Sequence, residues 1–99
     1  MAEYRLVPKA EEDLENIWSY SQDNWGEQQA NNYANGLADT FGALAISPAS
    51  APACDDIKPG YRRQVFERHV IYFRITSYGI EIIRVLHERM HAAGHLKSQ

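Results

Sequence analysis

Two groupings in this 99-residue sequence have residue types and spacings that chemistry could use. The first is His87-Glu88-Arg89-Met90-His91, which satisfies the pattern H-E-x-x-H. On a helix that spacing sets two imidazoles one turn apart to hold zinc, with the Glu as general base. Position argues that the match is coincidental. His87 continues directly from the strand-like run Ile82-Ile83-Arg84-Val85-Leu86, so the first ligand would sit on a strand end. A third histidine, His95, falls at the wrong spacing, and neither a metal nor another cofactor is expected. The second grouping is Arg62, Arg63, Arg68, Arg84, His87 and Arg89, with Tyr61 and Tyr72 nearby. Arginines at one end of a sheet can grip a phosphodiester while His87 moves a proton, which is a ribonuclease layout. No carboxylate or lysine stands out as the complementary base, so that set is incomplete. The same arginines read equally as strand residues paired with Glu67, Glu81 and acids on neighbouring helices. On either reading Gly60–Met90, which holds six arginines, is the candidate working surface.

The elements that must position this surface follow from periodicity. Tyr61–Glu67 reads as a polar strand. His69–Ile75 alternates, with Ile71, Phe73 and Ile75 on one face and Val70, Tyr72 and Arg74 on the other. Thr76-Ser77-Tyr78-Gly79 is a turn, and Ile80–Leu86 returns. A two-residue loop at Ser77-Tyr78 sets Arg74 opposite Glu81 and Phe73 opposite Ile82. It also places Ile80 and Ile82 on the Phe73 face, and Ile83 and Val85 on the other. Earlier in the chain, Glu3–Val7 reads as a short strand. Pro8 then opens a helix that lacks a side-chain N-cap, since Val7 precedes it. Ala10, Leu14, Ile17, Trp18, Ser21 and Trp25 form one face of that helix, and Gly26 ends it. Ala30, Tyr33, Ala34, Leu37, Ala38, Phe41, Leu44 and Ala45 continue the pattern in a second helix, until Ser47-Pro48. Gly36 and Gly42 inside it either admit a close neighbour or are merely tolerated. Both tryptophans, Tyr20 and Tyr33 are assigned to the core, because aromatics at helical spacing are mostly buried. Residues 47–60 are an aperiodic connector in which Cys54 is expected to be accessible. The predicted architecture is α+β: a strand, an antiparallel helical hairpin, then three strands in an antiparallel meander, all in one domain spanning 1–99. Residues 88–99 are expected to be a tail or a short helix.

Net charge is −3, yet it is unevenly distributed. Residues 1–56 carry two basic residues against ten acids, and residues 57–99 carry eight against three. One half is acidic and the other basic, as two solvated surfaces or as a basic face awaiting an acidic partner or a phosphate backbone. The acidic total disfavours general nucleic-acid binding. No apolar run approaches the ~20 residues of a membrane span. The N-terminus turns acidic at once, without the apolar segment of a secretory signal. A lone Cys54 cannot form an internal disulfide. A cytoplasmic location is expected.

Certain blocks together resemble a ParE-type toxin of the ParE/RelE superfamily, from bacterial type II toxin–antitoxin systems. They are Tyr4-Arg5-Leu6, Pro8-Lys9-Ala10, Asp13-Leu14, Ile17-Trp18, Tyr20, Trp25-Gly26, Asp56-Ile57, Pro59-Gly60-Tyr61-Arg62, Arg68-His69-Val70-Ile71-Tyr72 and the run from Ile82 to His87. The resemblance covers nearly the whole chain and implies a helical hairpin on a small antiparallel sheet. It implies a cytoplasmic protein that inhibits DNA gyrase, stalls replication and is neutralised by a ParD-like antitoxin. The antitoxin's C-terminal segment wraps the toxin while its N-terminal part binds operator DNA. DNA is then met only through the antitoxin or gyrase, and no membrane is involved. The RelE branch instead cleaves mRNA on the ribosome. Its members tend to be strongly basic and to carry a Tyr or similar group near the C-terminus, whereas here the chain is net acidic and no Tyr follows Tyr78. Those departures favour gyrase inhibition, with no catalytic residues. Arg62, Arg63, Arg68, Tyr72, Arg84, His87 and Arg89 are the residues expected to bind the target or the antitoxin.

Overall fold

The computed structural model describes residues 2–96. The expectation for the tail therefore lies outside the described residues at positions 97–99. The elements run β1 Glu3–Leu6, α1 Pro8–Trp25, α2 Glu27–Ile46, a 3-10 turn Pro48–Ser50, β2 Tyr61–Phe66, β3 His69–Thr76, β4 Gly79–His87 and α3 Ala92–Leu96. The fold is α+β, with a four-stranded sheet in the order β1-β4-β3-β2. β1 joins β4 in parallel, while β2, β3 and β4 form the antiparallel meander.

Each helix boundary has a local cause. Pro8 opens α1 without a side-chain cap from Val7, and the missing proline N–H falls where no intrahelical partner exists. Gly26, at φ 92°, closes α1 by donating its N–H to the Gln22 carbonyl. One residue therefore separates two helices, which forces them antiparallel. Trp18 Nε1 donates to Asn31 Oδ1 at 2.9 Å across the pair.

The hairpin covers one face of the sheet. Ala10, Leu37, Phe41, Leu44 and Ala45 meet Ile71, Phe73, Ile80, Ile82 and Val85 in the larger core. On the other face a smaller core joins Cys54, Tyr61, Tyr72, Ile83, Leu86 and Leu96. β4 is thus covered on both sides. The connector and α3 are its second lid: Cys54 and Leu96 are both fully buried.

The tight turn pairs Arg74 with Glu81 and Phe73 with Ile82, the register set by a two-residue loop at Ser77-Tyr78. Beyond Phe73 the register slips by one, so Tyr72 pairs with Arg84 and Ile83 has no partner. An extra residue in one strand reverses the alternation after it. The slip corrects the expected face of Val85, and the packing of the connector corrects the expected exposure of Cys54. Val85 turns to the helix face, in the larger core, and not to the Tyr72 face. Ile75, near the hairpin tip beyond the helical cover, is 48% exposed. Cys54 is buried beneath Leu96 and its neighbours, and burial pushes its thiol above the ordinary range, away from nucleophilic use.

Two glycines have an identifiable role. A Cβ on Gly36 would stand 2.6 Å from Phe66 Cζ, so the helix admits the ring only because the side chain is missing. Gly79, at φ 143°, lets β1 lie against β4, since a Cβ there would collide with the Glu3 carbonyl oxygen. A Cβ on Gly42 would meet nothing within 4 Å beyond its own helix. Gly79→Ala should therefore cost roughly 2 kcal/mol or more in urea denaturation. Gly42→Ala, by removing backbone entropy from a helix interior, should be neutral or stabilise by up to about 1 kcal/mol.

Candidate functional site: a groove between the helical hairpin and the sheet end

β1 ends at Leu6, opposite Ile82, and the chain then turns away into α1. From Arg84 onward the outer edge of β4 lacks a strand neighbour, and an amide there needs another acceptor. Asp13, on the second turn of α1, supplies it. Its Oδ2 accepts from the Val85 N–H at 3.0 Å and from Arg84 Nε at 2.7 Å, and its Oδ1 accepts from an Arg84 terminal nitrogen at 2.9 Å. Both side chains are largely withdrawn from water, at 8% and 12% exposure. The carboxylate beside it holds the Arg84 guanidinium more firmly protonated than usual. Arg84 is therefore corrected from a surface contact to an internal brace between α1 and β4.

Beyond this brace the hairpin and the sheet diverge, leaving a groove of about 680 Å³. One wall carries Ile17, Tyr20 and Trp25, and the other Arg68, His87 and Arg89. Tyr20 and Trp25, assigned to the core by their helical spacing, are each 62% exposed. Their rings meet edge to face at 5.8 Å and form a ready-made apolar platform. They sit near the hairpin turn, where α1 has run past the sheet that would have covered them.

The floor joins His87 to two titratable residues that sequence reasoning missed, Tyr33 and His69. Tyr33 Oη lies 2.7 Å from His69 Nδ1. His69 pairs across the strands with His87, the rings edge to face at 5.4 Å. Burial first, and then the neighbouring His87, push the His69 imidazole below the ordinary histidine range, while burial pushes Tyr33 up. His87 Nδ1 accepts from the Arg89 N–H at 3.1 Å, which folds the turn after β4 back on the strand. The Glu88 N–H donates to the Arg68 carbonyl at 2.8 Å, tying that turn to the β2–β3 turn. In the β2–β3 turn Glu67 takes φ 53°, an uncommon conformation for a non-glycine residue.

Of the seven residues predicted to bind partners, the groove unites three: Arg68, His87 and Arg89. Arg62 lies on the edge strand and donates to the Ala51 carbonyl at 2.7 Å, pinning the connector. Tyr72 lies in the smaller core and bonds to Arg63, with burial raising its phenol. Among the described residues, salt bridges join Arg84 to Asp13, Arg74 to Glu81 and Arg5 to Glu3. Arg62, Arg63, Arg68 and Arg89 have no carboxylate at that range among those residues. A second depression of about 520 Å³, near Tyr61 and Ile83, offers less free charge because Arg74 at its rim is paired with Glu81.

The zinc pattern resolves geometrically. His87 is the last residue of β4 and His91 precedes α3, so the two share no helix. Among the described residues no group of three His, Cys, Asp or Glu is arranged to hold a metal. What the groove offers is an apolar platform facing cations that have no carboxylate partner among the described residues, an arrangement suited to binding a macromolecule.

Comparison with known proteins bears on which macromolecule. A family model described as "ParE toxin of type II toxin-antitoxin system, parDE" matches residues 4–92. Toxin ParE1 of Caulobacter vibrioides is 41% identical over 96 residues, covering 97% of this chain and 99% of that one. Toxin ParE1 of Mycobacterium tuberculosis is 41% identical over 88 residues, covering 88% and 90%. Among solved structures, a chain of "Chromosomal ParDE TA system from P. aeruginosa" shares the fold, with a TM-score of 0.76 at 20% identity over 88% of this chain and 96% of that one.

The buried brace and the groove rim should respond differently to substitution. Asp13→Asn leaves a guanidinium buried without its counter-charge and should lower unfolding free energy by roughly 3–5 kcal/mol in urea titration. Arg89→Glu, at an exposed position, should stay within about 0.5 kcal/mol of the native chain.

Proposed function

The chain belongs to the ParE family of type II toxins, and on that premise we propose that it acts in the cytoplasm as a protein inhibitor of DNA gyrase, held inactive by a ParD-like antitoxin. The observation that supports this most is the groove, where Tyr20 and Trp25 stand exposed opposite Arg68 and Arg89. Exposing two aromatic rings to water is unfavourable in an isolated chain, and aromatic and arginine side chains are common anchors of protein interfaces. Catalysis is not needed by this reading. Cys54 is buried, and Arg84, central to any phosphodiester grip, is engaged by Asp13.

In this reading Arg68, His87 and Arg89 are the contacts on the groove side; Arg62 and Arg63 lie away from it on the edge strand β2, and Tyr72, buried in the smaller core, supports Arg63 and is not itself a contact. An acidic antitoxin segment complements the basic residues, and the charges steer association and fix register more than they add affinity. DNA is reached through gyrase or through the antitoxin. No helix among the described residues is long and apolar enough to cross a membrane.

Purified chain should block gyrase supercoiling or trap cleaved DNA, and it should leave mRNA intact in a translating extract. Full supercoiling at saturating chain contradicts gyrase as the target, and ribosome-dependent mRNA cleavage supports the RelE-like alternative. Arg68→Glu with Arg89→Glu should weaken antitoxin binding by about tenfold or more, increasingly so at low salt, without lowering the melting temperature.

A further inference from the structure

Three observations at the groove floor converge on His69 and His87. The imidazoles are cross-strand partners with ring centroids 5.4 Å apart, so protonating both places two positive charges in contact. His87 uses its Nδ1 lone pair as the acceptor for the Arg89 N–H. A proton on that nitrogen turns the acceptor into a donor facing another donor, and the bond is lost. His69 is meanwhile held at its own Nδ1 by Tyr33 Oη.

The surroundings carry charge of both signs, with Asp13 and Glu88 partly favouring a proton on His69 against its burial and the neighbouring His87. From the β2–β3 turn Arg68 lines the same groove, with Glu67 beside it; from the turn after β4 come Arg89 and Glu88; from α2 comes Tyr33. The nearest acid on α1 is Asp13, whose oxygens are already taken by Arg84 and the Val85 amide.

We propose that the His69–His87 pair is a proton-operated catch on the groove: with both rings neutral it holds the turn that carries Arg89 and Met90 against the sheet end, and on protonation it releases that turn. The mechanism is a competition for one lone pair. The Met90 N–H also returns to the His87 carbonyl, at 2.9 Å, so the turn hinges on His87 through both its side chain and its backbone. Since Arg89 and Met90 line the groove, releasing them changes its rim. The catch is a property of the chain alone; that it adjusts the antitoxin's seat rests on the function proposed above.

The sign of the accompanying stability change follows from His69. Its folded-state affinity for a proton is below the unfolded value, so the unfolded chain binds more protons. This stability is fully present above the ordinary histidine value, near pH 6.5, and is lost as pH falls from there through the lower folded-state value.

The test is amide hydrogen exchange by NMR on the whole chain, corrected for intrinsic rates, at about pH 7.5 and about pH 5.5, on either side of the histidine range. In the native chain the Arg89 and Met90 amides should lose about tenfold in protection at the lower pH, the effect of one ordinary hydrogen bond. The Arg74–Glu81 end of the same hairpin should keep its protection. His87→Asn separates the catch from general acid loosening, because its Oδ1 can accept the Arg89 amide but takes no proton in this range. The variant should hold its Arg89 protection at both pH values, and His69 should take up its proton at a higher pH than in the native chain. Unchanged Arg89 protection in the native chain overturns the catch. So does a full pH-dependent loss in His87→Asn. Neither outcome bears on gyrase or the antitoxin, so failure of the catch leaves the proposed function standing, and the reverse.

Discussion

The fold depends on one carboxylate. Asp13 accepts three hydrogen bonds from two consecutive residues of β4, and it does so where the parallel strand β1 has already ended. A sheet edge left without a strand partner must satisfy its amides in some other way. Here the first helix takes over from the first strand, with a side chain substituting for a backbone carbonyl. An ion pair of this kind adds little net stability over an apolar pair, because desolvation offsets attraction. What it supplies is placement. It fixes the angle between α1 and the sheet end, and so how far the hairpin turn overhangs the sheet.

That overhang makes the groove. Had the sheet extended further, Tyr20 and Trp25 would have been covered, as their helical spacing suggested. The β4 register slip adds the second wall. Continuing the hairpin-tip register without it, His69 would face Leu86; the extra residue at Ile83 brings His69 opposite His87 instead. The same slip turns Val85 toward the helices and leaves Ile83 with the smaller core.

Much of the scaffold was legible in the sequence. The element order, the single-glycine turn at Gly26, the hairpin tip and the pairing of Arg74 with Glu81 followed from period, punctuation and charge. The site was less so. A bulge has no residue signature in Ile82-Ile83-Arg84, where three consecutive residues are all compatible with a buried strand. Burial of Arg84 depends on Asp13, 71 positions earlier, and many acids in α1 could have been its partner. Cys54 was misassigned because an aperiodic, Pro- and Ser-rich connector reads as exposed, whereas Leu96 of α3 closes over it. The groove was hidden for the opposite reason: Trp25 obeys the apolar period of α1, but nothing in that period says where the sheet beneath it stops.

The account holds that a ParE-family chain uses the groove above the Asp13–Arg84 brace as its partner surface. The most direct measurement is NMR mapping of the isotopically labelled chain with and without its ParD-like antitoxin. The account predicts that the largest changes fall on Tyr20, Trp25, Arg68, His87 and Arg89, while Asp13 and Arg84 keep their pairing. Changes confined to surfaces remote from these residues, with the groove resonances unmoved, would contradict it.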